Sequence, residues 1–163
     1  MRFLILSAVV WTVACAKIQA PEGGPKDGDP PQPVYMTPDN GALNFSAREF
    51  TVYFDENIRL DNWRQELMIS PPLEERPEVV SRNKSITIRF NDTLKPNTTY
   101  TFDFGESIKD NNEGNPLTSF LYVFSTGPEL DTSACFGKAR LVESGEPAGK
   151  TKVYLYDSLT DST

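Results

Sequence analysis

From Val34 onward the chain runs in short stretches where apolar and polar residues alternate, with turn-forming residues between them. In "REFTVYF" (Arg48–Phe54), Phe50, Val52 and Phe54 share one face. In "ELMIS" (Glu66–Ser70), Leu67 and Ile69 do the same, and "PEVVS" (Pro77–Ser81) is a shorter candidate. "KSITIRF" (Lys84–Phe90) aligns Ile86, Ile88 and Phe90, and "TTYTFDF" (Thr98–Phe104) aligns Tyr100, Phe102 and Phe104. "SFLYVFST" (Ser119–Thr126) closes the series. A period of two is the signature of a half-buried strand. No stretch repeats at the helical period over three turns, although "LDNWRQEL" (Leu60–Leu67) suits one helical turn in a connection. Six or seven short strands in about 95 residues predict an all-β chain folded as an antiparallel β-sandwich.

The first residues have a different pattern. Arg2 precedes a largely apolar run that ends at Ala14-Cys15. The run is shorter than the roughly 20 residues a membrane-spanning helix needs and fits the core of a signal peptide. After Cys15 comes "PEGGPKDGDPPQP" (Pro21–Pro33), which has no large apolar side chain and many prolines. Such a stretch has nothing to bury and reads as an extended tether. The box "TVAC" (Thr12–Cys15) resembles the bacterial lipobox: Val13 and Ala14 fit, while Thr12 stands where Leu is usual. The resemblance implies cleavage before Cys15 and acylation of that residue. Several acyl chains together hold a protein firmly, whereas one alone binds marginally. The alternative is ordinary secretion, with Cys15 incidental to the cut. The organisation expected is a signal peptide at 1–14, a tether at 15–33, the sandwich at 34–127, a linker at 128–134 and a further β segment at 135–163.

"LKPNTTY" (Leu94–Tyr100) resembles the tyrosine corner of fibronectin type III domains. Pro96 fixes a turn, Leu94 packs beneath it, and the Tyr100 hydroxyl bonds back to upstream backbone. Past the linker, "CFGKARLV" (Cys135–Val142) and "TKVYLYD" (Thr151–Asp157) are expected strands joined by "ESGEPAGK". They are similar to the opening of transthyretin-like or carboxypeptidase-regulatory-like modules. Two strands do not stand alone. Either a second sandwich continues beyond Thr163, the reading favoured here, or this hairpin packs on the first domain.

Composition narrows the chemistry. The net charge of −7 is the wrong sign for nucleic acid, which needs clustered Lys and Arg. With no histidine, His-based metal sites and Ser-His-Asp triads are excluded. Carboxylate pairs such as Asp55 with Glu56, or Glu74 with Glu75, are adjacent in sequence. On a strand they would point to opposite faces rather than across a cleft. No catalytic residue, metal site or cofactor is assigned. "DNNEGN" (Asp110–Asn115) offers oxygen ligands but breaks the EF-hand spacing, and reads as a turn between the last two strands. Trp63 lies in a polar connection. It either covers one end of the sandwich or serves as a candidate ligand contact, stacking on a sugar or anchoring a partner. Cys135, beside Phe136, is expected to be buried rather than reactive. "DTL" (Asp92–Leu94) and "DSL" (Asp157–Leu159) resemble the O-glycosylation sites of Bacteroidota, which makes Thr93 and Ser158 candidate acceptors.

Taken together, Cys15, "GGPKDG", "SPP" (Ser70–Pro72), "LKPNTTYTFDFG" (Leu94–Gly105), "IKDNNEGNPL" (Ile108–Leu117) and "YVFSTG" (Tyr122–Gly127) resemble the bacterial Ig-like domain that opens many Bacteroidota lipoproteins, a family named after an S-layer protein. The resemblance covers Cys15 to about Gly127. It implies a non-catalytic module of the cell envelope. "GGPKDG" lacks the acidic run of a surface-export signal, and Ala16 is not the Asp that retains lipoproteins at the inner membrane. An outer-membrane lipoprotein is expected, held by its lipid and favouring the periplasmic face. It would serve structure, adhesion or assembly through a protein or glycan partner the sequence does not name. The alternative is an accessory, carbohydrate-binding domain of a larger carbohydrate-processing lipoprotein.

Overall fold

A computed structural model describes residue 24 and residues 26–133, 136–149, 151 and 153. Among the described residues the elements run β1 (Pro33–Thr37), β2 (Glu49–Phe54), β3 (Ile58–Leu60), α1 (Trp63–Glu66), β4 (Met68–Ser70), β5 (Glu78–Arg82), β6 (Ser85–Arg89), β7 (Thr99–Asp103), β8 (Ile108–Asp110) and β9 (Leu121–Ser125). They form a four-stranded sheet ordered β1-β2-β6-β5, a three-stranded sheet β4-β7-β9 and a β3-β8 pair. Every strand pairing is antiparallel. The fold is an all-β, Ig-like sandwich.

The alternating stretches dictate which faces meet. Phe50, Val52 and Phe54 of β2 and Ile86 and Ile88 of β6 point inward from one sheet, and Tyr100, Phe102, Tyr122 and Phe124 point inward from the other. All are buried. The layers lock through aromatic contacts: Phe50 stacks on Tyr122 with centroids 3.8 Å apart and meets Phe102 edge-on at 5.2 Å. Removing each such side chain from water stabilises the fold by roughly 1.5–3 kcal/mol. Among the described residues no buried side-chain nitrogen or oxygen lacks a hydrogen-bond partner.

After β1 the chain crosses between sheets. Gly41 N–H donates to Val123 O at 2.7 Å and Phe45 N–H to Ser125 O at 2.9 Å. The Asn40 amide imitates a strand residue, donating from Nδ2 to Leu121 O at 2.9 Å and accepting from Val123 N–H at 2.8 Å. Pro33 faces Phe54, and Ser125 lies against Phe45, just before β2 begins. The chain therefore enters the sandwich at one end and leaves at the other, separated by the length of a six-residue strand, about 20 Å.

Three strands differ from the expected set. β3 and β8 have three residues each and are too short for a period to register. The third, β1, begins inside the stretch whose composition predicts a tether. That tether ends earlier than residue 33. Pro31 is buried, Gln32 N–H donates to Asp55 Oδ1 at 2.8 Å, and the Asp27 and Asp29 carbonyls accept from Asn115 Nδ2 at 3.1 and 3.2 Å. Backbone carbonyls and a proline ring hold this segment, and neither leaves an alternating trace. The loop Asp110–Asn115 also corrects the expectation. It does not run from β7 to β9, because the unexpected strand β8 precedes it and pairs with β3, and the loop turns back on β8 through a bridge between Lys109 and Pro116. Beyond the linker, the described residues of the expected strand Cys135–Val142 make one bridge, Arg140 to Pro147, instead of a ladder. Phe136 there is 93% exposed, so burial next to Cys135 does not extend to it. The expected partner strand Thr151–Asp157 lies, residues 151 and 153 apart, outside the described residues.

Candidate functional site

The corner sits where β7 begins. Tyr100 is buried, and its Oη accepts the Lys95 N–H at 2.9 Å. Leu94 is partly buried against the core, while Pro96 is exposed at the turn. Thr126 ties the same turn to the end of β9, donating from Oγ1 to Lys95 O at 2.7 Å and accepting from Thr98 N–H at 2.9 Å. Gly127 completes it: a Cβ there would lie 2.9 Å from Asn97 Cα, so this close approach requires glycine. Leu94, Pro96 and Tyr100 thus belong to one structural unit.

Thr93 is exposed in the preceding turn. It borders a cleft of about 310 Å³ floored by Phe45 and Phe90 and rimmed by Arg48 and Asp92. The Asp92 carboxylate accepts Glu75 N–H at 2.7 Å. Cys15, Cys135 and Ser158 lie outside the described residues. Trp63 opens α1 and is half-buried. The Arg64 guanidinium lies 4.7 Å over its ring, so one aromatic face already has an occupant. The structure does not bring Trp63 and Thr93 into one site.

The loop after β8 is built around one carboxylate. Asp110 is buried, with Oδ1 accepting the N–H groups of Asn112, Glu113 and Gly114 at 2.8, 2.6 and 3.0 Å, and Oδ2 accepting Asn115 N–H at 2.7 Å. Burial pushes this carboxyl up, but the four backbone donors overcome it and hold the pKa at about 2. Gly114 has φ near 83°, and a Cβ there would sit 2.8 Å from Arg59 Nη2. The loop is therefore more than a turn of Asn and Gly residues. The signal was an Asp at its first position, able to turn inward on the amides beyond it. Nearby, Lys109 pairs with Asp61 at 2.8 Å and lowers the Asp61 pKa. Glu56 is pushed up by burial and by Asp110, Asp55, Asp27 and Glu113. No group of three or more acidic or thiol side chains among the described residues is arranged to hold a metal ion.

One surface feature has no counterpart among the residues singled out from the sequence. Tyr35 and Tyr53 lie side by side on the outward face of the first sheet, with ring centroids 5.6 Å apart and planes inclined by 34°. The available signal was Tyr53 itself, an aromatic at a polar-face position of the alternating "REFTVYF".

The family model of the bacterial Ig-like domain matches residues 27–126. The chain belongs to this family. The match begins where the Asp27 and Asp29 carbonyls first touch the sandwich and stops at the end of β9. Bacterial Ig-like domains are generally non-catalytic, and this one is a structural or accessory module. No curated protein and no solved structure matches the chain.

Proposed function

We propose that this bacterial Ig-like domain is a spacer and assembly module of the outer membrane, attached through lipid on Cys15. The supporting observation is directional. The chain enters the sandwich beside Pro33 and leaves it beside Phe45, at the opposite end. A domain threaded in this way holds the next module of the chain about one strand length further from its tether. The stretch between Cys15 and Asp27 is rich in Gly and Pro, which suits a short flexible leash. The segment from 135 onward belongs to a second β module carried at the far end. Its exposed Phe136 is the kind of side chain that such a module would cover. The lack of an acidic run in "GGPKDG" favours the periplasmic face of the outer membrane, and Thr93, being exposed, is accessible to O-glycosylation.

Cys15→Ala tests the anchor. The substituted protein is expected to move from the membrane pellet to the soluble fraction. If it still sediments with membranes after a high-salt wash, the lipid is not what holds it.

A further inference from the structure

We propose that the outward face of the first sheet is a binding platform for a neutral pyranose chain. The inference rests on the register of four strands and holds whether or not Cys15 is acylated. Tyr35, Tyr53, Ser85 and Arg82 stand in one row across β1, β2, β6 and β5. Thr37, Thr51, Thr87 and Val80 form the next row, and Glu49, Arg89 and Glu78 the third.

Each row supplies something a sugar chain needs. Tyr35 and Tyr53 are 58% and 39% exposed, and neither belongs to the core. At this separation and tilt the two rings overlap in part, and the apolar C–H face of a pyranose stacks on an exposed aromatic face of this kind. The bulge between Pro33 and Tyr35 leaves Val34 exposed beside them. In the second row the Thr51 and Thr87 hydroxyls share one hydrogen bond at 2.9 Å. Two hydroxyls carry two hydrogens, so one donor and several lone pairs remain for ligand hydroxyls.

Charge selects a neutral ligand. Arg89 is held by Glu49 and Glu78, each at 2.9 Å, so the cation in the third row is already engaged by two carboxylates. The charged side chains of the three rows, Glu49, Glu78, Arg82 and Arg89, sum to zero, so the face draws in neither an anionic nor a cationic polymer. Trp63 does not compete for the role, because Arg64 covers its ring.

The test is an NMR titration of the full chain with cellohexaose and, separately, chitohexaose into the millimolar range. The expected result is shift changes confined to β1, β2 and β6, centred on Tyr35 and Tyr53. Tyr53→Ala should weaken binding about tenfold, Tyr53→Trp should retain it, and Trp63→Ala should leave it unchanged. Tyr53 points away from the core, so the alanine variant should keep the dispersed spectrum of the parent. Absence of shifts with both oligosaccharides would overturn the proposal. So would shifts centred on Trp63, or binding indifferent to Tyr53→Ala. A dimer seen in sedimentation and abolished by Tyr53→Ala would overturn it in favour of a protein interface.

Discussion

Replacing Tyr100 by Phe removes one oxygen and leaves the ring. In the structure that oxygen does one thing, accepting the Lys95 N–H at 2.9 Å. The ring itself is 2% exposed and stacks on Phe124 at 5.5 Å, a contact that Phe preserves. The loss is therefore that of one neutral hydrogen bond, about 0.5–1.5 kcal/mol. It rises toward about 3 kcal/mol only if the stranded N–H is shut off from water. Lys95 is itself exposed, so water reaches the vacated position and the effect should stay near about 1 kcal/mol. With a urea dependence of about 1–3 kcal/mol per molar, the unfolding midpoint should fall by roughly 0.3–1 M. Tyr100→Ala also removes the stacked ring and should cost about 3–5 kcal/mol. Urea unfolding of the two variants beside the parent chain separates the contributions. The corner reasoning fails if Tyr100→Phe leaves the midpoint in place, or if Phe and Ala cost the same.

Three further predictions come from other parts of the molecule. The Asp110 carboxyl is depressed in the folded chain, from 3.8 to about 2, so its charge stabilises the fold above its unfolded pKa. That stability should disappear as the pH falls through 3.8 toward 2, and the gap in urea midpoint between the parent and Asp110→Asn should close over the same window. Phe50→Ala opens a cavity between Tyr122 and Phe102, and a loss of about 3–5 kcal/mol should appear in denaturant unfolding. Gly127→Ala drives a Cβ to within 2.9 Å of Asn97 backbone and should lower the thermal midpoint, whereas Gly137→Ala, with open space around it, should not.

The long alternating stretches made the sandwich legible, because a period of two recurs wherever one strand face is buried. Phe50, Val52 and Phe54 are buried as that period requires, and so are Ile86 and Ile88. The corner was legible for a different reason: its motif is local, and Leu94, Lys95 and Tyr100 are close in sequence as well as in space. The features that escaped depend on distant partners. The start of the domain is held by Asn115 reaching the carbonyls of Asp27 and Asp29, a pairing across 88 and 86 positions. The Asp110 anchor was visible as a residue but not as an inward one, since nothing in "DNNEGN" states which way the carboxylate turns. The paired tyrosines belong to different strands, and only the register places Tyr35 opposite Tyr53.

The sheet edges decide where a partner can attach. An unpaired edge is a template for another strand, and natural sheets obstruct it with proline, charge, bulges or brevity. Here β1 is bracketed by Pro33 and Pro38 and carries the bulge at Val34. The edge strand β5 comes directly after Pro77 and is charged at both ends, by Glu78 and Arg82. In the second sheet, the free side of β9 is taken by the crossing segment, which bridges Ala42 to Phe124 in parallel. The remaining edge, β4, has three residues and runs into Pro71. Strand addition is obstructed at all four edges of the two larger sheets, so contact with a partner there is left to the faces and ends. The ends carry the chain in and out. Of the outward faces, that of the first sheet presents two exposed tyrosines beside hydroxyls and an arginine already engaged by two carboxylates. A module whose edges reject strands while one face offers rings and hydroxyls is suited to lying along a polymer rather than to joining another sheet.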